Sequence, residues 1–225
     1  MTDLRLGVMG GTFDPIHAGH VAAALGAQRA LTLDRVCLIP SNIPPHRPER
    51  PRASGYHRFA MTVLAATPHP TWTVSDDELE REGPSFSYDT LAGLAQTGLH
   101  ATQIFSIIGA DAFAEIATWS RYPIVLDLSH FAVVSRPGAT LESLRTRLPD
   151  LAARMTTPAA FPDAPGTRII LVETSTPDVS ATAIRGRAQS GLPLAGLVPD
   201  AVAGYIVRQQ LYRTAPASPH SPVGR

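Results

Sequence analysis

The chain of 225 residues has a single cysteine, Cys37. That excludes an intramolecular disulfide and any metal site built on a cysteine cluster. It also lacks an excess of either charge, because Lys and Arg number 19 and Asp and Glu number 19. A protein whose main partner is a nucleic-acid backbone carries a basic surplus or stripe, and no such partner is expected here. Long hydrophobic runs are missing, so no membrane-spanning segment is expected. Residues 1–6 have neither the basic head nor the apolar stretch of a secretory signal. The expectation is a soluble, cytoplasmic chain. What is present suits a folded domain: apolar residues make up 44%, enough for a full core. The length predicts one domain over 1–213, and the tail 214–225, without apolar periodicity, is read as disordered. Cys37 lies in the run 36–39 and reads as a buried strand residue. Self-association is left open.

Pro and Gly, at 21 and 17 residues, punctuate the chain into short segments. Strands are expected over 4–9, 36–40, 71–75, 103–108, 131–135 and 168–172. Several are apolar throughout, as central strands covered on both faces are. Helices are expected over 20–31, 56–66, 89–96, 112–117, 141–155, 181–190 and 201–211. The alternation predicts an α/β fold, a doubly wound, mostly parallel sheet flanked by helices. Ligands of such sheets bind at the carboxyl ends of strands, so the loops after strands carry the chemistry. The segment 40–52 is packed with Pro and Arg and forms neither helix nor central strand. It is a cover over a site or a solvated loop, and composition alone favours the loop.

The first strand runs into Gly10-Gly11-Thr12-Phe13-Asp14-Pro15-Ile16-His17-Ala18-Gly19-His20, where a helix begins. Gly10, Gly11 and Gly19 let backbone approach a ligand closely. A helix start offers unpaired N–H groups and the positive end of the dipole. His17 and His20, three apart, share one side of the first turn and can donate to phosphate oxygens. The loop has neither the Lys-Ser/Thr ending of a P-loop nor a G-x-G-x-x-G fingerprint. A metal site on the two histidines lacks an evident third ligand.

A second helix start lies at 177–185. Ser180 is a natural N-cap and Thr182 sits in the first turn. Arg185 is one turn on and leans back toward an anion at that end. Alone, this segment reads as an ordinary capped helix with a surface arginine.

Together the two segments resemble the nucleotidyltransferase superfamily. The first is similar to its H-x-G-H signature. The second is similar to I-S-S-T-x-I-R, with Ala181 and Val179 at two varied positions. Other segments resemble the bacterial nicotinate-nucleotide adenylyltransferases. Asn42 to Arg47 is similar to N-x-P-P-H-K, with Arg47 for Lys. Arg58 and Met61 match R-x-x-M. Residues 83–91 are similar to G-x-S-Y-T-x-D-T-L and keep Asp89-Thr90-Leu91. Gly109-Ala110-Asp111 with Trp119 is similar to G-x-D…W, and 131–138 to V-x-R-P-G. The resemblance covers roughly 5–211.

It implies a Rossmann-like nucleotidyltransferase fold and adenylyl transfer from ATP to nicotinate mononucleotide, with Mg²⁺ carried by ATP oxygens and waters. ATP would be held by Gly10, Gly11, Thr12, Phe13, His17, His20, Gly109, Asp111, Ser180, Thr182 and Arg185. Of these, His17, His20 and Arg185 would act on the phosphates. The mononucleotide would meet Asn42, His46, Arg47, Thr90, Trp119 and Arg136. Arg47 and Arg136 suit its phosphate, or are lone solvated charges. Trp119 supplies a stacking face or packs in the core, and Asp111 caps a helix or meets the ribose or metal side. The Thr90 hydroxyl or backbone N–H groups would receive the nicotinate carboxylate.

Overall fold

A computed structural model describes residues 4–45, 50–135, 141–161 and 166–213. Seven strands form one sheet: β1 (Leu6–Gly11), β2 (Arg35–Pro40), β3 (Trp72–Val74), β4 (Ile104–Gly109), β5 (His130–Val134), β6 (Met155–Thr156) and β7 (Ile169–Val172). Their order is β3-β2-β1-β4-β5-β7-β6 and every pairing is parallel. Every residue of β5 and β7 is buried, because helices cover both faces. Successive side chains point to opposite faces. Thus Met9, Leu38 and Val134 join one core, while their neighbours Val8, Ile39 and Val133 join the other. The doubly wound parallel α/β sheet expected from the sequence is present.

The helices are α1 (Ala18–Leu31), α2 (Gly55–Ala66), α3 (Asp77–Glu80), α4 (Ser87–Gln96), α5 (Ala110–Phe113), α6 (Glu142–Arg147), α7 (Ala181–Gln189) and α8 (Asp200–Arg208). The expected single helix over 141–155 is corrected. Pro149 has no N–H to continue it, so α6 stops at Arg147 and a 3₁₀ turn, Pro149–Arg154, follows. Met155 and Thr156 then pair with Ile169 and Ile170 as the edge strand β6. The helix expected over 112–117 ends at Phe113, and a separate 3₁₀ turn spans Ile116–Thr118. Cys37 is only partly buried, and that burial pushes its thiol up. Among the described residues, no helix is long and apolar enough to cross a membrane. The expected tail, 214–225, lies outside the described residues.

From β1 the chain winds outward through β2 and β3, then crosses back to β4 on the other side of β1. The carboxyl ends of β1 and β4 therefore diverge. A crevice at that switch point is where such sheets bind ligands.

Candidate active site

The loop after β1 is shaped by its glycines. A Cβ on Gly11 would lie 2.9 Å from the Phe13 ring, and one on Gly19 would lie 3.1 Å from the His17 ring. A Cβ on Gly10 would meet only the Ile39 carbonyl, at 4.0 Å, so this glycine leaves open space. Phe13 is buried, with a left-handed φ of 47°, and its ring meets His20 edge-on at 5.1 Å. His17 is buried at the N-cap of α1, and His20 is three residues on. Their rings stack with centroids 3.7 Å apart. His20 Nδ1 accepts the His17 backbone N–H at 3.2 Å. That bond places the neutral ring's proton on Nε2, which makes Nε2 a donor.

Arg58 on α2 is buried and holds this loop beside its neighbour. Its Nη1 donates to the Thr12 carbonyl at 2.7 Å and the Ser41 carbonyl at 2.6 Å. Desolvation lowers its pKa, and the nearby Asp14 opposes that shift. Ser180 caps α7, accepting the Ala183 N–H at 3.2 Å. Arg185 Nη2 donates to Thr182 Oγ1 at 3.2 Å, and Nη1 to the Asp14 carbonyl at 2.8 Å. The two helix starts, far apart in sequence, thus meet at one loop.

A cavity of about 360 Å³ opens at the switch point. Of the residues expected to bind ligands, Gly10, Gly11, Thr12, His20, Gly109, Asp111, Thr90 and Trp119 line it. Phe13 and His17 pack within the histidine loop and, like Ser180, Thr182 and Arg185, are not among the residues lining the cavity; Arg185 meets the loop at the Asp14 carbonyl. His46, Arg47 and Arg136 lie outside the described residues. Gly109, not Asp111, occupies the cap of α5; Asp111 is exposed in its first turn and faces the cavity. Trp119 packs partly against the second core and also lines the cavity. Tyr88 also lines the cavity, and Arg121 stands 5.6 Å over its ring.

The Thr90 hydroxyl has protein partners. It donates to Glu78 Oε1 at 2.6 Å and accepts from Arg81 Nη2 at 2.6 Å. Its proton is committed to Glu78, so the backbone N–H groups at the start of α4 are the better donors to a ligand carboxylate. The Asn42 side chain donates to the Arg81 carbonyl at 2.9 Å, and its backbone N–H donates to Ser85 Oγ at 2.8 Å. Asn42 thereby fastens the loop after β2 to the segment before α4.

Sequence reasoning missed Glu78, which is 5% exposed and lines the cavity. It stands in the acidic stretch 76–80, which by pattern reads as a solvated face. Burial pushes its carboxyl up, against the opposing effects of Thr90 and Arg81. Among the described residues, no three of His, Cys, Asp and Glu come together as a metal-holding group.

The cytidylyltransferase-like family model matches residues 8–187, and the chain belongs to that family. Its relatives narrow the class. A probable nicotinate-nucleotide adenylyltransferase from Roseiflexus sp. (strain RS-1) is 41% identical over 95% of this chain and 100% of its own length. One of the same name from Pseudomonas syringae pv. tomato is 40% identical over 97% of each chain. Within the family, the chain falls with the nicotinate-nucleotide adenylyltransferases. The fold is shared with the Plasmodium falciparum nicotinic acid mononucleotide adenylyltransferase complexed with NaAD, at a TM-score of 0.68 and 14% identity. That likeness covers 93% of this chain and 97% of the other.

Proposed function

We propose that this chain transfers the adenylyl group of ATP to nicotinate mononucleotide, giving nicotinate adenine dinucleotide and pyrophosphate in NAD biosynthesis. One observation carries the reading within the family. One cavity is lined by Gly10, Thr12 and His20 and also by Trp119 and by Ser87 and Tyr88 at the start of α4. That arrangement suits a triphosphate and a flat acceptor ring side by side.

The 5′-phosphate oxygen of the mononucleotide attacks the α-phosphorus of ATP. A new P–O bond forms as the bond to the α–β bridging oxygen breaks, and its electron pair leaves with pyrophosphate. The nucleophile is already anionic, so the protein's task is positioning and charge stabilisation. His20 donates from Nε2 to an α-phosphoryl oxygen as charge builds. His17 stacks beneath it, fixes its tautomer and helps orient the triphosphate. Gly10 leaves room for the phosphates, Gly11, Thr12 and Phe13 shape the loop around them, and Gly109 and Asp111 serve the ribose. Ser180, Thr182 and Arg185 meet the departing pyrophosphate at the start of α7.

On the acceptor side, Trp119 stacks on the nicotinate ring. The ring carboxylate meets the N–H groups of Ser87 and Tyr88. Asn42 and Thr90 hold that wall in place, and His46, Arg47 and Arg136 are assigned to the mononucleotide. The donors present suit a magnesium ion held mainly by ATP oxygens and waters rather than by a protein cage. Such an ion neutralises charge on the phosphates.

We also read 1–213 as one catalytic domain that works in the cytoplasm on small molecules, without nucleic acid or membrane as partner. Pyrophosphate release, measured with ATP and each mononucleotide, tests the reaction. Nicotinate mononucleotide is expected to be preferred over nicotinamide mononucleotide by about a hundredfold, the upper end of what a hydrogen bond to a charged group contributes. Preference for the amide would overturn the acceptor. No release with either would leave a non-catalytic nucleotide-binding module.

A further inference from the structure

Asp14 is 4% exposed and joins four segments of the chain. Its Oδ2 accepts the Arg52 N–H at 2.7 Å, where the proline-rich segment ends. Its Oδ1 accepts the Ala53 N–H at 3.1 Å and the Tyr212 hydroxyl at 2.8 Å. Its main-chain carbonyl accepts the Arg185 Nη1 hydrogen bond at 2.8 Å, while Oδ2 stands 4.0 Å from the same nitrogen, a long ion pair.

That last pair of distances has a physical meaning. A guanidinium beside a buried carboxylate closes into a short ion pair unless other donors occupy the oxygens. Here Oδ1 accepts a backbone N–H and the phenol, while Oδ2, the oxygen nearer Arg185, accepts a single backbone N–H. Of the three, only the phenol is a side chain, and it comes from 198 residues away. Burial and the Asp14 charge raise the Tyr212 pKa, which keeps it protonated and a donor. Tyr212 adopts a left-handed φ of 66° just beyond α8, and its ring packs on the first core.

We propose that Tyr212 is a positioning residue for Arg185: by donating to Asp14 Oδ1 it fixes the carboxylate's orientation and keeps Oδ2 on the Arg52 N–H, so the guanidinium rests on the carbonyl and stays available to phosphate. The C-terminal end of the described chain is then part of the triphosphate machinery. The inference rests on the reading above in assigning Arg185 to the phosphates.

Tyr212→Phe removes the hydroxyl and leaves the packed ring. The readout is ATP affinity by calorimetric titration, which needs no turnover, together with steady-state constants. ATP affinity and kcat/KM for ATP are expected to fall about tenfold, with KM for the mononucleotide within about twofold of the wild type. In an Arg185→Gln background the same change is expected to have no further effect on ATP affinity. Tyr205→Phe, which removes a 2.9 Å bond to His57 in the same C-terminal region, serves as the control with unchanged constants. Unaltered ATP affinity in Tyr212→Phe, or an equal loss with and without Arg185, overturns the proposal. A wild type that binds ATP but releases no pyrophosphate would sink the proposed reaction and leave this titration readable.

Discussion

The hydroxyl of Thr90 donates to Oε1 of Glu78 across 2.6 Å, which places a hydrogen-bonded carboxyl in the wall of the cavity. Glu78 is buried, and burial pushes its carboxyl above the ordinary value of 4.5. A group raised on folding contributes stability that is full below its unfolded value and is lost as pH rises through the folded one. Glu78→Gln is therefore expected to gain on the wild type in unfolding free energy as pH rises above the ordinary value of 4.5. Denaturant titrations across that range measure the drift, and a drift the other way would show that ion pairing with Arg81 outweighs burial.

His130 on β5 carries the opposite sign. Burial pushes it down from 6.5 to about 4, and its Nδ1 accepts the Arg168 N–H at 2.9 Å. A histidine lowered on folding contributes stability that is full above its unfolded value and is lost as pH falls through the folded one. Acidification from about pH 6.5 to pH 4 should therefore remove about 3 kcal/mol through this residue. His130→Gln, which keeps an acceptor, is expected to flatten that slope in acid unfolding. An unchanged slope would place the acid sensitivity elsewhere.

His20→Ala should lower kcat about a hundredfold, the scale of one preorganised donor to a transition-state oxygen. The variant also loses the ring stacked on His17 and the acceptor of the His17 N–H, so the melting temperature should fall by a few degrees while the fold persists. Rapid-quench measurement of the chemical step checks this, and a near-normal rate in the folded variant would remove His20 from the reaction.

Trp119→Ala is expected to raise KM for the mononucleotide about tenfold with ATP nearly unaffected, because stacking is lost at the acceptor end alone. Steady-state kinetics with each substrate varied in turn separates the two. A change confined to the ATP constant would move Trp119 to the other end of the cavity.

Much of the fold was legible because the apolar runs that became β1, β2, β4, β5 and β7 are short and continuous, and the segments between them have helical character. The errors fell where one residue interrupts a pattern. Pro149 divided a helix that periodicity alone carried through to 155, and the residues beyond it became strand β6. The geometry of the histidine loop was legible because its histidines lie within a single turn at the start of α1. Glu78 was not, because nothing in the acidic stretch 76–80 distinguishes the carboxyl that turns inward from those left in water.

The amino-acid order by itself determined the local devices: the open Gly10, the histidine pair at the start of α1, the Ser180 cap, and Arg185 one turn beyond Thr182. Each depends on residues within about one helical turn, where backbone geometry leaves few choices. Only the tertiary structure decided which distant groups meet. Tyr212 reaching Asp14, Arg58 gathering the carbonyls of Thr12 and Ser41, and Arg185 donating to the Asp14 carbonyl all follow from the packing of sheet and helices. Such partners are chosen by burial, where each polar group must find another, and no local pattern of residues encodes that choice.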